Sequence, residues 1–148
     1  MRKLIVSVCM TVVMVALSSC GSSKNAAAIS TLGGTWNIIE VNGSAVVPAS
    51  GQEFPFLTFD VTEGRVSGNT GCNRVSGSFD TKAKAGTLSL GALVSTRMAC
   101  MDMTLENKVL AALNEVEKFK KLSDNTMALS GANGKSIIVL QKKKMPRM

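Results

Sequence analysis

The sequence contains no histidine and no tyrosine, and its single tryptophan is Trp36. Without imidazole there is no Ser-His or Cys-His relay, no histidine general base and no nitrogen ligand for a metal. Its ten carboxylates show no spacing that singles out an acid and base pair. The expectation is a protein that is not an enzyme and takes neither metal nor cofactor, with a Ser-Lys or carboxylate mechanism as the formal alternative. Aromatic residues are only 4% of the chain, which leaves little for base stacking. An excess of one charge is missing as well. The formal charge is +7, but Arg2, Lys3, Lys24, Lys142, Lys143, Lys144 and Arg147 lie outside residues 32–141, where ten basic residues meet ten acidic ones. No basic face and no nucleic-acid partner are expected. Nor is there a long enough apolar run: Leu4 to Leu17 covers 14 residues, against the roughly 20 that a membrane-spanning helix needs.

That short run has another use. It follows Arg2 and Lys3 and ends in small residues at Leu17-Ser18-Ser19-Cys20, the layout of a cleaved signal segment. The four residues resemble the lipobox of bacterial lipoproteins, which implies removal of residues 1–19 and a diacylglyceryl group on the Cys20 thiol. Acyl chains add about 0.8 kcal/mol per buried methylene, so two or three of them hold a protein on a membrane almost permanently. Residues 20–31, beginning Gly21-Ser22-Ser23-Lys24-Asn25, read as a flexible tether. No acidic pair follows Cys20, so signals for inner-membrane retention and for surface export are both missing. The expected address is an outer membrane, on its periplasmic face.

Residues 32–141 suffice for one domain with one core, and 142–148 read as a basic C-terminal tail. With Cys9 in the signal and Cys20 lipidated, Cys72 and Cys100 form the one pair left in the domain. In an oxidising compartment a disulfide is the natural reading, with free buried thiols as the alternative. Two lone cysteines make a poor zinc site, and their separation excludes a Cys-x-x-Cys motif.

The periodicity of two predicts strands at Thr35 to Val41, ending in the turn Asn42-Gly43, and at Phe54 to Val61. Further strands are expected at Arg65 to Gly68, Val75 to Asp80, Thr87 to Leu90 and Leu93 to Thr96. The tripeptide Val-Ser-Gly at Val66 and again at Val75 suits two arms of a hairpin. From Asp102 to Phe119 the period becomes 3.6. Leu105, Val109, Ala112, Leu113 and Val116 fall on one stripe, with Glu106 among the polar residues elsewhere, near the positive end of the helix dipole. Asp102 or Thr104 can cap this helix. Lys120 to Leu122, Thr126 to Ser130 and Ser136 to Gln141 read as closing strands.

Trp36 with Glu40-Val41-Asn42-Gly43, then Gly68-Asn69-Thr70-Gly71-Cys72-Asn73 with Gly77, then Thr96-Arg97-Met98-Ala99-Cys100 and Glu106 resemble the META domain of HslJ-like bacterial lipoproteins. The resemblance implies an α+β fold: a strongly curved, partly barrel-like antiparallel sheet packed around one amphipathic helix. It links the chain to stress phenotypes and implies no catalytic residue.

Physically, Gly68, Gly71 and Gly77 supply positive φ or close backbone approach around Cys72, while Asn69 and Asn73 can bond their own backbone. Arg97 has recognition chemistry, since a guanidinium can clamp a carboxylate or phosphate. The expected role is an internal brace to loop carbonyls near Cys72, with ligand contact as the alternative. The functional expectation is a lipid-anchored envelope protein whose partner is an unidentified envelope component, in stress tolerance or outer-membrane assembly. A second reading is a proteinase inhibitor. Its loop Gly43 to Gln52 would carry Val46, Val47 and Pro48 exposed for insertion into a protease cleft. A third, a lipid or small-molecule carrier, needs a crack between helix and sheet lined by residues such as Leu105, Val109 and Phe59.

Overall fold

A computed structural model describes residues 27–144; the signal segment, Cys20 and the last four residues lie outside the described part. A short 3₁₀ turn, Ile29–Leu32, leads into β1 (Gly34–Val41), β2 (Ser44–Ala45), β3 (Phe56–Asp60), β4 (Arg65–Asn69), β5 (Arg74–Ser78) and β6 (Val94–Ser95). The helix α1 (Thr104–Asn114) precedes β7 (Lys118–Ser123), β8 (Thr126–Ser130) and β9 (Ser136–Lys142). All pairings are antiparallel, in the order β6-β5-β4-β3-β1-β9-β8-β7, with β2 on the end of β1. The sheet is curled and not closed. Segment 86–91 lies between β7 and the end of β5, with isolated bridges from Thr87 to Lys118 and from Leu90 to Phe79. The strand expected at Thr87 to Leu90 is therefore a strap with single bridges rather than a ladder. The fold is the expected α+β arrangement, a partly barrel-like sheet around one helix.

Alternation decides which side chains go inward. Trp36 and Ile38 from β1, Leu57 and Phe59 from β3, Val66 from β4, Val75 from β5, Met127 and Leu129 from β8, and Ile138 and Leu140 from β9 share one core with Val109, Ala112 and Leu113 of α1. Phe59 and Val109, expected to line a carrier crack, are packed core, and Leu105 leans on it partly buried. The indole of Trp36 donates from Nε1 to the Leu32 carbonyl at 2.7 Å, so the polar tip of this buried ring is satisfied.

The turns behave as their residues require. Asn42 and Gly43 have φ of 51° and 78°, the backbone of a two-residue hairpin of the primed type, and Val41 pairs directly with Ser44. The two Val-Ser-Gly segments face each other, Val66 opposite Gly77 and Val75 opposite Gly68. A Cβ on Gly68 would collide with the Phe56 carbonyl oxygen, and one on Gly77 would stand 2.6 Å from the Leu93 side chain.

Several expected boundaries move. The helix ends at Asn114 instead of running to Phe119, because the Glu117 amide bonds the Ser130 carbonyl at 2.9 Å and Lys118 pairs with Ser130. Phe119 reaches the core from a strand. The tether ends before residue 31: the Gly86 amide bonds the Ala27 carbonyl at 2.9 Å, and Ile29 packs on the core. The tail starts later than 142. Lys142 closes β9, the Lys143 amide bonds the Thr35 carbonyl at 2.9 Å, and their ammonium groups sit 5.1 Å from the Trp36 ring centroid and 5.0 Å from that of Phe56. Val46 turns inward to join the core, while Val47 stays exposed and Pro48 is half-buried.

Candidate functional site

The motif residues converge where the β4–β5 corner, the loop from Thr96 to Cys100 and the start of α1 meet. The corner needs its local chemistry first. Asn69 Oδ1 accepts the Gly71 amide at 2.8 Å, an Asx turn, and Gly71 has φ of 131°, a backbone state that a Cβ disfavours. Cys72 is then joined to Cys100 by a disulfide, with Cα atoms 6.3 Å apart.

Asn73 departs from the local turn expected of it. Its side chain spends all four hydrogen-bonding positions on other segments. Oδ1 accepts the Met98 amide at 2.6 Å and the Thr96 hydroxyl at 2.8 Å, while Nδ2 donates to Glu106 Oε1 at 2.7 Å and to the Met98 carbonyl at 3.3 Å. Only one amide orientation fits these partners. The Thr96 hydroxyl in turn accepts the Arg74 amide at 3.0 Å.

Glu106 is 3% exposed and completes the knot. Its Oε2 accepts the backbone amides of Cys72 and Asn73 at 3.0 and 2.7 Å, so the carboxylate gathers two corner amides and the Asn73 side chain. This is the brace that the sequence assigned to Arg97. Arg97 instead stands in solvent and makes no hydrogen bond or ion pair among the described residues. The reason is reach: Glu106 enters the corner from a rigid helix, whereas Arg97 sits on the solvent side of a loop whose backbone already faces Asn73. A signal for Glu106 exists in the sequence. Glu106, Val109 and Leu113 are spaced i, i+3, i+7, so Glu106 lies on the apolar stripe. Neither expected residue caps the helix: Met103 holds the N-cap position without a side-chain bond, and Asp102, one residue earlier, accepts the Thr104 amide on its Oδ1 at 2.8 Å. The Thr104 hydroxyl and amide, helped by Lys108, hold the Asp102 carboxyl below its usual range.

Gly68, Gly71, Cys72, Asn73, Thr96, Arg97, Met98 and Cys100 are thus brought together, and Gly77 stands two residues further along β5. Trp36, Asn42 and Gly43 serve core and turn elsewhere, and Val46, Val47 and Pro48 lie on a separate loop. Arg97, Met98, Met103, Asn107, Leu93 and Leu110 line a cleft of about 470 Å³ between the loop and α1. A cleft of about 610 Å³ on the outer face of the sheet is lined by Phe56, Ser67, Asn69, Arg74 and Thr96. Among the described residues no cluster of Cys, Asp and Glu could hold a metal, and no helix is long and apolar enough to cross a membrane.

Solved structures resemble this chain in fold. An NMR structure of a protein from Burkholderia xenovorans is 27% identical, with a TM-score of 0.60, over 78% of this chain and 86% of that one. A second NMR structure is 28% identical, with a TM-score of 0.55, over 73% and 87%. A crystal structure of a DUF4847 family protein from Bacteroides vulgatus ATCC 8482, 17% identical with a TM-score of 0.53 over 78% and 96%, shares the fold. No curated protein matches the chain in sequence. The META domain model matches residues 28–144, the span that carries the curled sheet, the Asn73–Glu106 knot and the disulfide, and the chain belongs to the META domain family.

Proposed function

We propose that this is a non-enzymatic binding module of the cell envelope, anchored through lipid on Cys20 at the periplasmic face of an outer membrane, in stress tolerance or outer-membrane assembly. One observation carries the reading. The loop from Thr96 to Cys100 is fixed from beneath by Asn73 and the disulfide, yet Arg97 and Met98 point outward. A loop whose backbone is immobilised while an arginine and a thioether stay free has low ordering cost on binding. That suits recognition of an acidic or carboxylate-bearing surface on an envelope partner.

The test has two arms. Cys20→Ala should move the protein from the membrane fraction to the soluble periplasm, and retention in high salt would overturn the anchor. A photo-cross-linker in place of Arg97 should trap a discrete envelope species that one at Asn133, on an exposed turn at the other end of the helix, does not. Identical adducts from both positions would overturn the contact surface. The inhibitor reading keeps one specific support: Val47 is 81% exposed beside a Val46 anchored in the core. Val47→Asp abolishing inhibition of a secreted protease would establish it.

A further inference from the structure

We propose that the segment Met98-Ala99-Cys100-Met101-Asp102-Met103 is a thioether site for a soft monovalent cation of the Cu(I) class. The described chain has four methionines, and three of them fall in these six residues, spaced Met-x-x-Met-x-Met. The fourth, Met127, is buried in the core. Core packing does not account for the other three. Met98 is 60% exposed, Met101 is fully exposed and Met103 is half-buried. Met98 and Met103 line the same cleft between the loop and α1, and Met101 lies between them in the chain.

The supporting backbone is held at both ends. The amide and carbonyl of Met98 both bond Asn73, Cys100 is in the disulfide, and Asp102 ties the segment to the first turn of α1. The side chains between these ties remain free. Met has three rotatable bonds, and the fully exposed Met101 has no packing to give up in reorienting. Neutral thioethers are soft donors that prefer Cu(I) over hard divalent ions. The charged groups nearby are Arg97, Asp102 and Lys108, with Lys108 acting on the Asp102 carboxyl, and Glu106 is taken up entirely by the corner, so the donors on offer are neutral thioethers. Neither thiolate nor imidazole is required, which fits a chain without histidine and with its domain cysteines paired. The inference is independent of the envelope reading above.

The experiment titrates the disulfide-bonded protein with Ag(I), a redox-inert stand-in, and with Cu(I) under ascorbate against a chromophoric Cu(I) chelator. One equivalent should bind, with methyl resonances of Met98, Met101 and Met103 shifting and that of Met127 unmoved. Met98→Leu with Met101→Leu should weaken binding at least tenfold, while Met127→Leu should not change it. Alkylation and mass measurement on the loaded protein should find both domain cysteines still paired. No binding, equal binding by the double variant, or binding only after disulfide reduction would each overturn the site.

Discussion

Removing the Glu106 carboxylate leaves two backbone amides and one side-chain amide of the corner without their acceptor. Glu106→Gln keeps the size but offers one carbonyl oxygen, and its NH₂ faces another donor at Asn73 Nδ2. Leaving buried donors unpaired costs about 1–3 kcal/mol each, so a net loss of about 2–4 kcal/mol is expected, seen as a fall in Tm of about 8 °C or more. A melt within about 2 °C of the parent would overturn the brace. Arg97→Ala should behave in the opposite way. The side chain is exposed and makes no hydrogen bond among the described residues, and surface changes of that kind stay within about 0.5 kcal/mol. The pair of melts separates the two residues that the sequence alone left exchanged.

The start of α1 titrates with Asp102. Its carboxyl is held below the ordinary 3.8, first by the Thr104 hydroxyl and amide and then by Lys108. A depressed folded pKa means that the Asp102–Thr104 bond contributes above the unfolded value and is lost as pH falls through the folded one. The Asp102 carboxyl resonance should therefore titrate with a midpoint below 3.8, with the Thr104 amide shifting in step. A midpoint at or above the ordinary value would overturn the Asp102–Thr104 bond. The same element shows where local pattern gives way. Residues 115–119 continue the apolar spacing with Val116 and Phe119, yet the chain leaves the helix because β8 offers Glu117 and Lys118 backbone partners. Hydrophobic spacing records which side chains go inside. It is silent on whether a helix or a strand takes them there.

Across the whole molecule, the disulfide ties the corner to the loop over 28 residues. Chain-entropy arguments value such a closure at roughly 3–4 kcal/mol, exerted mainly on the unfolded chain. Cys72→Ser with Cys100→Ser should lower stability by about that amount while the Asn73 and Glu106 bonds keep the loop in place. Denaturant melts of the pair variant check it; an unchanged midpoint would show that the knot alone holds the corner. The curled sheet brings its own closure device, since the strap at 86–91 bonds β7 on one side and the end of β5 on the other and leaves Lys120 and Lys121 to guard the rest of β7.

Whatever depends on neighbours a few residues apart was legible in the chain. Asn42-Gly43 sets a two-residue turn, Val-Ser-Gly repeated in two arms sets a hairpin in which each valine faces a glycine, and Val109, Ala112 and Leu113 set one buried stripe. Those outcomes follow from backbone sterics and from periods of two and 3.6, which are local quantities. Tertiary structure decided the rest. Glu106 meets amides more than thirty residues away, Val46 turns in while Val47 turns out, Lys142 and Lys143 are drawn into the sheet over Trp36 and Phe56, and Arg97 is left free. Each of these is settled by which distant donor, ring or apolar surface the curled sheet brings within reach, and no spacing along the chain encodes that distance.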